Sequence, residues 1–226
     1  MYSEYRNIDI EKKLSIARFR PLDIMVTGVT GAGKSTTLNS FFKKEVAKVG
    51  TGVDPETMEL DSYTLNDLVR FWDTPGLGDG VEIDRIHSKK IVDLLYKTYI
   101  LDDTTYGWID LVLVIIEGAN RDMGTTYNLL NNVIVPNFQR DRILVVINQA
   151  DVAMKGRHWD NKRNKPDSVL EKFLDDQAES IQRRVKEATN FDIIKPIYYS
   201  AENNYNVTKL FDMIIENMPK TRRNLV

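Results

Sequence analysis

The sequence predicts a three-layer α/β fold, with a mainly parallel sheet, one antiparallel edge strand and helices on both faces. Three observations carry this. Continuously apolar runs at residues 22–27, 111–116 and 143–147 have the composition of parallel strands buried on both faces. Stretches with helical periodicity separate them. Each run is followed by a glycine-rich or polar loop, which collects the loops at the carboxyl edge of the sheet, where such folds hold ligands.

Taken in order, residues 1–20 form an N-terminal extension in which Ile8, Ile10, Leu14 and Ile16 recur at partly helical spacing. They suit a short amphipathic helix or a partner-binding arm. The main domain then spans 21–219. Its first strand delivers a glycine-rich loop and a helix over 38–44. Residues 49–56, with Gly50, Gly52 and Pro55, read as a mobile loop. Strands at 58–63 and 68–72 pair across a turn at 65–67, a helix covers 83–100, and His87 is read as a surface residue of that helix. After the second buried strand, a helix over 123–135 stops before Pro136. The basic stretch 155–166 lies within an insertion at 152–167. A long helix over 168–189 has Val169, Phe173, Leu174, Ile181 and Val185 as its buried stripe. A short strand at 197–199 and a helix over 207–218 close the domain, and 220–226 is a frayed tail.

At 226 residues and 42% hydrophobic content, one domain with a sizeable core is expected. Thirty-one basic residues against 33 acidic ones give a net charge of -2, a balance that favours neither nucleic acid nor an anionic membrane as partner. The absence of cysteine excludes disulfides and thiolate chemistry and is compatible with a reducing cytoplasm. The longest apolar run, 111–116, is too short to span a bilayer, and the polar start carries no signal-peptide core. A cytoplasmic location is expected.

The chemistry is concentrated in four short segments. Gly28-Val-Thr-Gly-Ala-Gly-Lys-Ser-Thr36 follows a strand and opens a helix, the context in which glycines bring backbone N–H groups close to phosphate oxygens. Lys34 is suited to reach the β- and γ-phosphates and Ser35 to hold Mg²⁺. Asp73-Thr-Pro-Gly76 ends another strand. Asp73 is suited to act on the same ion through water, and Gly76 leaves an N–H near the γ-phosphate, so that 77–80 is a natural switch. Asn148-Gln-Ala-Asp151 follows the third buried strand, and the Asp151 carboxylate matches the N1–H and exocyclic amine of guanine. Adenine offers no such pair, and an unpaired buried carboxylate can cost roughly ten-thousandfold in discrimination. Ser200-Ala-Glu202 follows the last strand, where the Ala201 N–H is suited to the guanine oxygen. An ATPase remains the rival on residues alone.

The ordered set GVTGAGKST, DTPG, NQAD and SAE resembles the nucleotide boxes of P-loop GTPases over residues 22 to about 218. It looks most like Era-like GTPase domains, with septin-like features and no room for an appended RNA-binding domain. The resemblance implies a Ras-like G domain with GTP or GDP and Mg²⁺ as its ligands. Carried over by position, Gly28, Gly31, Ala32, Gly33, Lys34, Ser35 and Thr36 cradle the phosphates. Asn148, Gln149, Asp151, Ser200, Ala201 and Glu202 hold the base, and Ser35, Asp73 and a switch threonine hold the metal. Thr57 fits that threonine, with Thr51 the alternative. The catalytic set is then Lys34, Thr57, Gly76 and Arg121.

Three departures from the family pattern bear on function. Gln149 stands where a lysine usually stacks on the base. Leu77 stands where Ras-like enzymes carry a water-orienting glutamine, and Gly31 stands where potassium-assisted relatives keep an asparagine. The resemblance therefore points to slow hydrolysis stimulated by a protein effector or by a homodimer formed through the nucleotide face. Arg121 is either the arginine finger or a solvated helix-capping residue. A non-hydrolysing, nucleotide-dependent interaction module is the alternative. Trp159 either covers the guanine or anchors the insertion.

Overall fold

The computed structural model describes residues 2–18, 21–42, 62–119 and 123–224. Helix α1 (Asn7–Ala17) precedes strand β1 (Leu22–Gly28) and helix α2 (Lys34–Phe42), and β2 (Ser62–Asn66) and β3 (Val69–Asp73) lead to α3 (Val81–Leu95). A hairpin of β4 (Thr98–Leu101) and β5 (Thr104–Gly107) precedes β6 (Leu111–Glu117). Helix α4 (Gly124–Asn128) continues as a π-helical stretch, Leu129–Ile134, before β7 (Ile143–Asn148). A small hairpin of β8 (Trp159–Asp160) and β9 (Lys165–Pro166) is followed by α5 (Ser168–Thr189), β10 (Ile197–Tyr198) and α6 (Val207–Glu216).

The main sheet runs β10-β7-β6-β1-β3-β2 and is parallel except for the β2–β3 edge pair. Every residue of β1 is buried, as a strand covered on both faces requires. Alternation then sorts its side chains: Ile24 and Val26 join Leu38, Phe41 and Phe211 on one face, and Met25 joins Leu94, Leu129 and Leu174 on the other. The three-layer α/β fold with one antiparallel edge strand is as the sequence predicts.

Several boundaries differ from expectation for physical reasons. The helix expected to 100 ends at Leu95, because Thr98, Tyr99 and Ile100 pair with β5 instead. Asp102 and Asp103, both at positive φ (49° and 60°), make the tight turn between them. In α5 the buried stripe is Leu170, Leu174, Ala178, Ile181 and Val185. Val169 and Phe173 lie on its flank, 49% and 40% exposed. Asp167 caps this helix by accepting hydrogen bonds from the Val169 and Leu170 N–H groups at 2.9 and 3.1 Å.

In the N-terminal extension Ile10 and Leu14 are buried, whereas Ile8 and Ile16 face solvent. Tyr2 and Arg6 supply further anchorage. The Tyr2 ring lies 5.7 Å from Phe41 and 5.1 Å from Phe211, and its hydroxyl hydrogen-bonds to that of Thr208 at 2.8 Å. Arg6 pairs with Asp212 at 2.8 Å.

The segment expected to fray is docked as far as Asn224. Arg223 is 1% exposed, its guanidinium stacks 4.5 Å from the Phe138 ring centroid and donates to the Leu95 carbonyl, and its own carbonyl accepts the Gly107 N–H at 2.8 Å. Arg142 donates to the Thr221 carbonyl at 2.8 Å. Contacts spanning 79 to 128 positions hold this segment, and local composition does not reveal them.

The amino edge of the sheet holds a buried polar cluster. Asp23 accepts both Arg70 Nε (2.6 Å) and Nη2 (3.0 Å) together with the Trp72 indole N–H (2.7 Å). Its backbone N–H donates to Asp110 Oδ2 at 3.0 Å. The Trp72 and Trp108 rings meet edge to face at 6.1 Å, and Lys97 Nζ lies 5.1 and 4.8 Å from their centroids.

Burial pushes the Asp110 carboxyl up to about 8, assisted by the Asp23 charge and opposed by the Asp23 N–H, Arg142 and Arg223. Its folded value lies above its unfolded value. Between about pH 4 and about pH 8 the folded chain therefore keeps a proton that the unfolded chain releases, and stability falls as pH rises through that window. Asp110→Asn is expected to flatten this slope. Relative to the parent chain it should gain about 3–4 kcal/mol between about pH 5 and about pH 8 in urea unfolding.

Candidate functional site

The four motif segments converge on the carboxyl edge of the sheet. The glycine-rich loop links β1 to α2, and its shape depends on two close approaches. Gly33 has φ +83°, and a Cβ there would lie 2.3 Å from Asn148 Nδ2. At Gly76 a Cβ would lie 2.6 to 2.8 Å from the side-chain oxygen and backbone of Thr30. The Asp73 segment is thus pressed against the phosphate loop.

The two loops are also joined by hydrogen bonds. Thr30 N–H donates to the Leu77 carbonyl at 2.7 Å, and Leu77 N–H donates to the Gly28 carbonyl at 3.4 Å. The Thr30 hydroxyl donates to Asp79 at 2.8 Å. Asp84, at the start of α3, accepts the N–H groups of Gly78 and Asp79 at 2.7 and 3.2 Å. The Leu77 side chain is fully buried in the core.

Lys34 Nζ donates to the carbonyls of Gly28 and Val29 at 3.3 and 3.1 Å. Desolvation holds its ammonium below the usual lysine range, and the charges of Asp73 and Asp79 oppose that shift. A lysine so desolvated, facing two carboxylates, has much to gain from an anion.

Asn148 is the junction of the site. It is 2% exposed, its Nδ2 donates to the Ala32 and Gly33 carbonyls at 3.0 and 3.4 Å, and its Oδ1 accepts the Ala201 N–H at 3.0 Å. The Ala201 N–H, expected at the guanine oxygen, is therefore engaged by Asn148 in this structure. Gln149, at φ 62°, donates from Nε2 to the Gly31 carbonyl at 2.8 Å. Its amide thereby bridges to the phosphate loop. Asp151 is half-buried directly after this turn, Ser200 is buried and Glu202 is exposed. Tyr199, fully buried, shares a 2.8 Å hydrogen bond with the Thr37 hydroxyl, which donates to the Gly33 carbonyl at 2.8 Å.

The structure thus brings together Gly28, Gly31, Ala32, Gly33, Lys34, Asn148, Gln149 and Ala201, with Gly76 beside them through Thr30. Ser35 and Thr36 open α2 directly after Lys34, and Asp73 ends β3 in register with Val26. Thr51, Thr57 and Arg121 lie outside the described residues, as does the loop expected at 49–56. Trp159 packs edge to face on Tyr205 at 5.2 Å, which is the anchoring alternative for the insertion. Four residues of the site have no role assigned from sequence: Thr30, Asp79, Asp84 and His87. His87 was expected at the surface. It is 8% exposed, with Nδ1 2.6 Å from the Gly76 carbonyl oxygen.

The residues present fit a nucleotide with its metal. The cradle closes where Cβ atoms would obstruct it, a desolvated lysine points into it, and Ser35 and Asp73 supply the hard oxygen donors that Mg²⁺ prefers. Among the described residues no helix is long and apolar enough to cross a membrane.

Comparison with known proteins agrees with this geometry. Toc33 from Arabidopsis thaliana, solved with GDP and Mg²⁺, superposes with a TM-score of 0.66 at 17% identity over 98% of this chain and 94% of its own. Era from Aquifex aeolicus superposes with a TM-score of 0.56 at 16% identity over 89% of this chain and 58% of its own. Both likenesses speak to the fold. T-cell-specific guanine nucleotide triphosphate-binding protein 2 of Mus musculus is 43% identical over 74 residues, covering 30% of this chain and 18% of its own length. The chain therefore matches about a fifth of that relative. The family described as 50S ribosome-binding GTPase matches residues 23–190, three-quarters of the sequence. With its phosphate loop, its Asp73 segment and its Asn148 junction on one sheet edge, the chain belongs to this family of P-loop GTPases.

Proposed function

We propose that the chain is a molecular switch that binds Mg·GTP and hydrolyses it slowly, with turnover stimulated by a protein effector or by a second copy across the nucleotide face. The observation that carries this reading is Leu77. The residue after the Asp73 segment has no polar group, and its side chain is sealed in the core against α3, so it cannot orient an attacking water. The catalytic group must come from elsewhere, and Arg121, between β6 and α4, is the candidate. Toc33, which shares the fold, has been solved as a dimerization-deficient mutant, and a pairing of nucleotide faces here would place such a residue in trans.

In this reading Lys34 and the N–H groups of Gly31 to Thr36 bind the phosphates, and Ser35, Asp73 and Thr57 hold Mg²⁺, which neutralises charge on the phosphates. Asp151 selects guanine, with Asn148, Gln149, Ser200, Ala201 and Glu202 shaping its pocket, and Gly76 presents its N–H to the γ-phosphate. Residues 21–219 form the G domain with 152–167 inserted in it, residues 1–20 an N-terminal extension, and 220–226 a tail. The cysteine-free composition suits a cytoplasmic protein.

Fluorescent GTP, GDP and ATP titrations, combined with turnover measured across protein concentration with and without K⁺, test the proposal. Guanine nucleotides should bind and ATP should not. Turnover per molecule should rise with concentration, independently of K⁺, and Arg121→Ala should abolish the rise. Equal binding of ATP would overturn the base assignment. Binding without any turnover would leave a guanine-nucleotide-dependent interaction module in place of the enzyme.

A further inference from the structure

We propose that His87 is a positioning residue for the Gly76 peptide, through which helix α3 responds to the terminal phosphate of the nucleotide. The inference rests on the guanine-nucleotide reading and assigns to that site a residue that none of its four motif segments contains.

His87 is the one buried residue among positions 81–90 of α3, where its neighbours Arg85, Ile86 and Lys89 are exposed. A helix turn does not bury an imidazole among charged neighbours without a partner. The partner is the Gly76 carbonyl, 2.6 Å from Nδ1. A carbonyl only accepts, so Nδ1 carries the hydrogen and donates it.

The peptide that His87 grips is held at both ends. Its carbonyl belongs to Gly76 and its N–H to Leu77, which donates to the Gly28 carbonyl at 3.4 Å. The same Gly28 oxygen accepts Lys34 Nζ at 3.3 Å. One carbonyl of the phosphate loop is therefore shared between the phosphate-binding lysine and the peptide that His87 holds. Gly76 has no room to shift towards Thr30. The orientation of its own N–H is accordingly set between the His87 bond on one side and the phosphate loop on the other. When Lys34 turns from Gly28 to phosphate, the change is passed through Leu77 and Gly76 to the imidazole, and so to α3. The γ-phosphate meets the Gly76 N–H, and GDP does not. His87 therefore contributes to binding the triphosphate and not the diphosphate.

The test compares His87→Leu, which fills the space without a donor, with His87→Asn, whose amide N–H stands in for Nδ1–H. Each is titrated in the presence of Mg²⁺ with fluorescent GDP and with a non-hydrolysable GTP analogue. His87→Leu should bind GDP within about twofold of the parent chain and the GTP analogue about fivefold more weakly, the worth of one hydrogen bond, and His87→Asn should recover most of that loss. Long-range ¹H–¹⁵N correlation, simplified by the presence of only two histidines, should show the His87 ring protonated at Nδ1. Equal losses for both nucleotides, an unchanged GTP analogue, failure of Asn to recover the loss, or a ring protonated only at Nε2 would each overturn the role. A parent chain that binds neither nucleotide would remove the guanine-nucleotide reading and this role with it. Normal parental binding with an indifferent His87→Leu would remove this role alone.

Discussion

Asn148→Ala is expected to destabilise the nucleotide-free chain by about 2–4 kcal/mol, because it strands the buried Ala201 N–H and the Ala32 carbonyl at once. Calorimetry should show a midpoint lower by roughly 5–10 °C. The same substitution should weaken guanine-nucleotide binding by about a hundredfold or more, since the phosphate loop and the Ala201 loop then lose their common tie. A residue that touched only the base would leave the nucleotide-free midpoint unchanged. The two measurements therefore separate a ligand contact from a structural junction, and the geometry requires both to move. Gly33 belongs to the same argument, since the space that a Cβ would need is already filled by the Asn148 amide.

Asp151→Asn should shift specificity without lowering stability by more than about 0.5 kcal/mol, because Asp151 is half-buried at a loop. The guanine N1–H and exocyclic amine are both donors. An asparagine amide meets one of them with a donor of its own and loses the charge-assisted pair. GTP affinity is expected to fall by about a thousandfold or more. Xanthosine triphosphate carries an oxygen where guanine carries the amine, and it should become the better ligand. Competition between the two nucleotides for the variant reads this directly. Retained preference for GTP would place the base elsewhere.

The parts of the molecule legible from sequence were those specified by short-range chemistry. Strands β1, β6 and β7 were visible as unbroken apolar runs because each is covered on both faces, and α5 was placed with its bounds because Asp167 and Asn190 cap it. The site was legible where the glycines of the first loop and Asn148 fall in short segments that the fold brings together on one sheet edge. The contacts joining remote segments were not. Nothing near Arg223 announces Leu95 and Phe138, and nothing near His87 announces Gly76, since a histidine on a charged helix reads as solvated until the loop beneath it is seen. The β4–β5 hairpin was missed for another reason. Its first strand adjoins a helix, and the helical periodicity of α3 was extended through it, although Asp102-Asp103 between alternating aromatic and β-branched residues was a turn signal in plain view.

The placement of the tryptophans gives the molecule an optical readout of its own. Trp72 immediately precedes Asp73 and lies between the Arg70 and Lys97 cations, a setting in which indole emission is sensitive to small displacements of neighbouring charge. Trp159 stands against Tyr205, beside the loop that carries Ser200. One fluorophore therefore sits in the polar cluster at the amino edge and another beside the loop that carries Ser200. Versions of this chain that keep one of its three tryptophans would let the amino-edge cluster and the loop that carries Ser200 be followed separately in time, with no label attached.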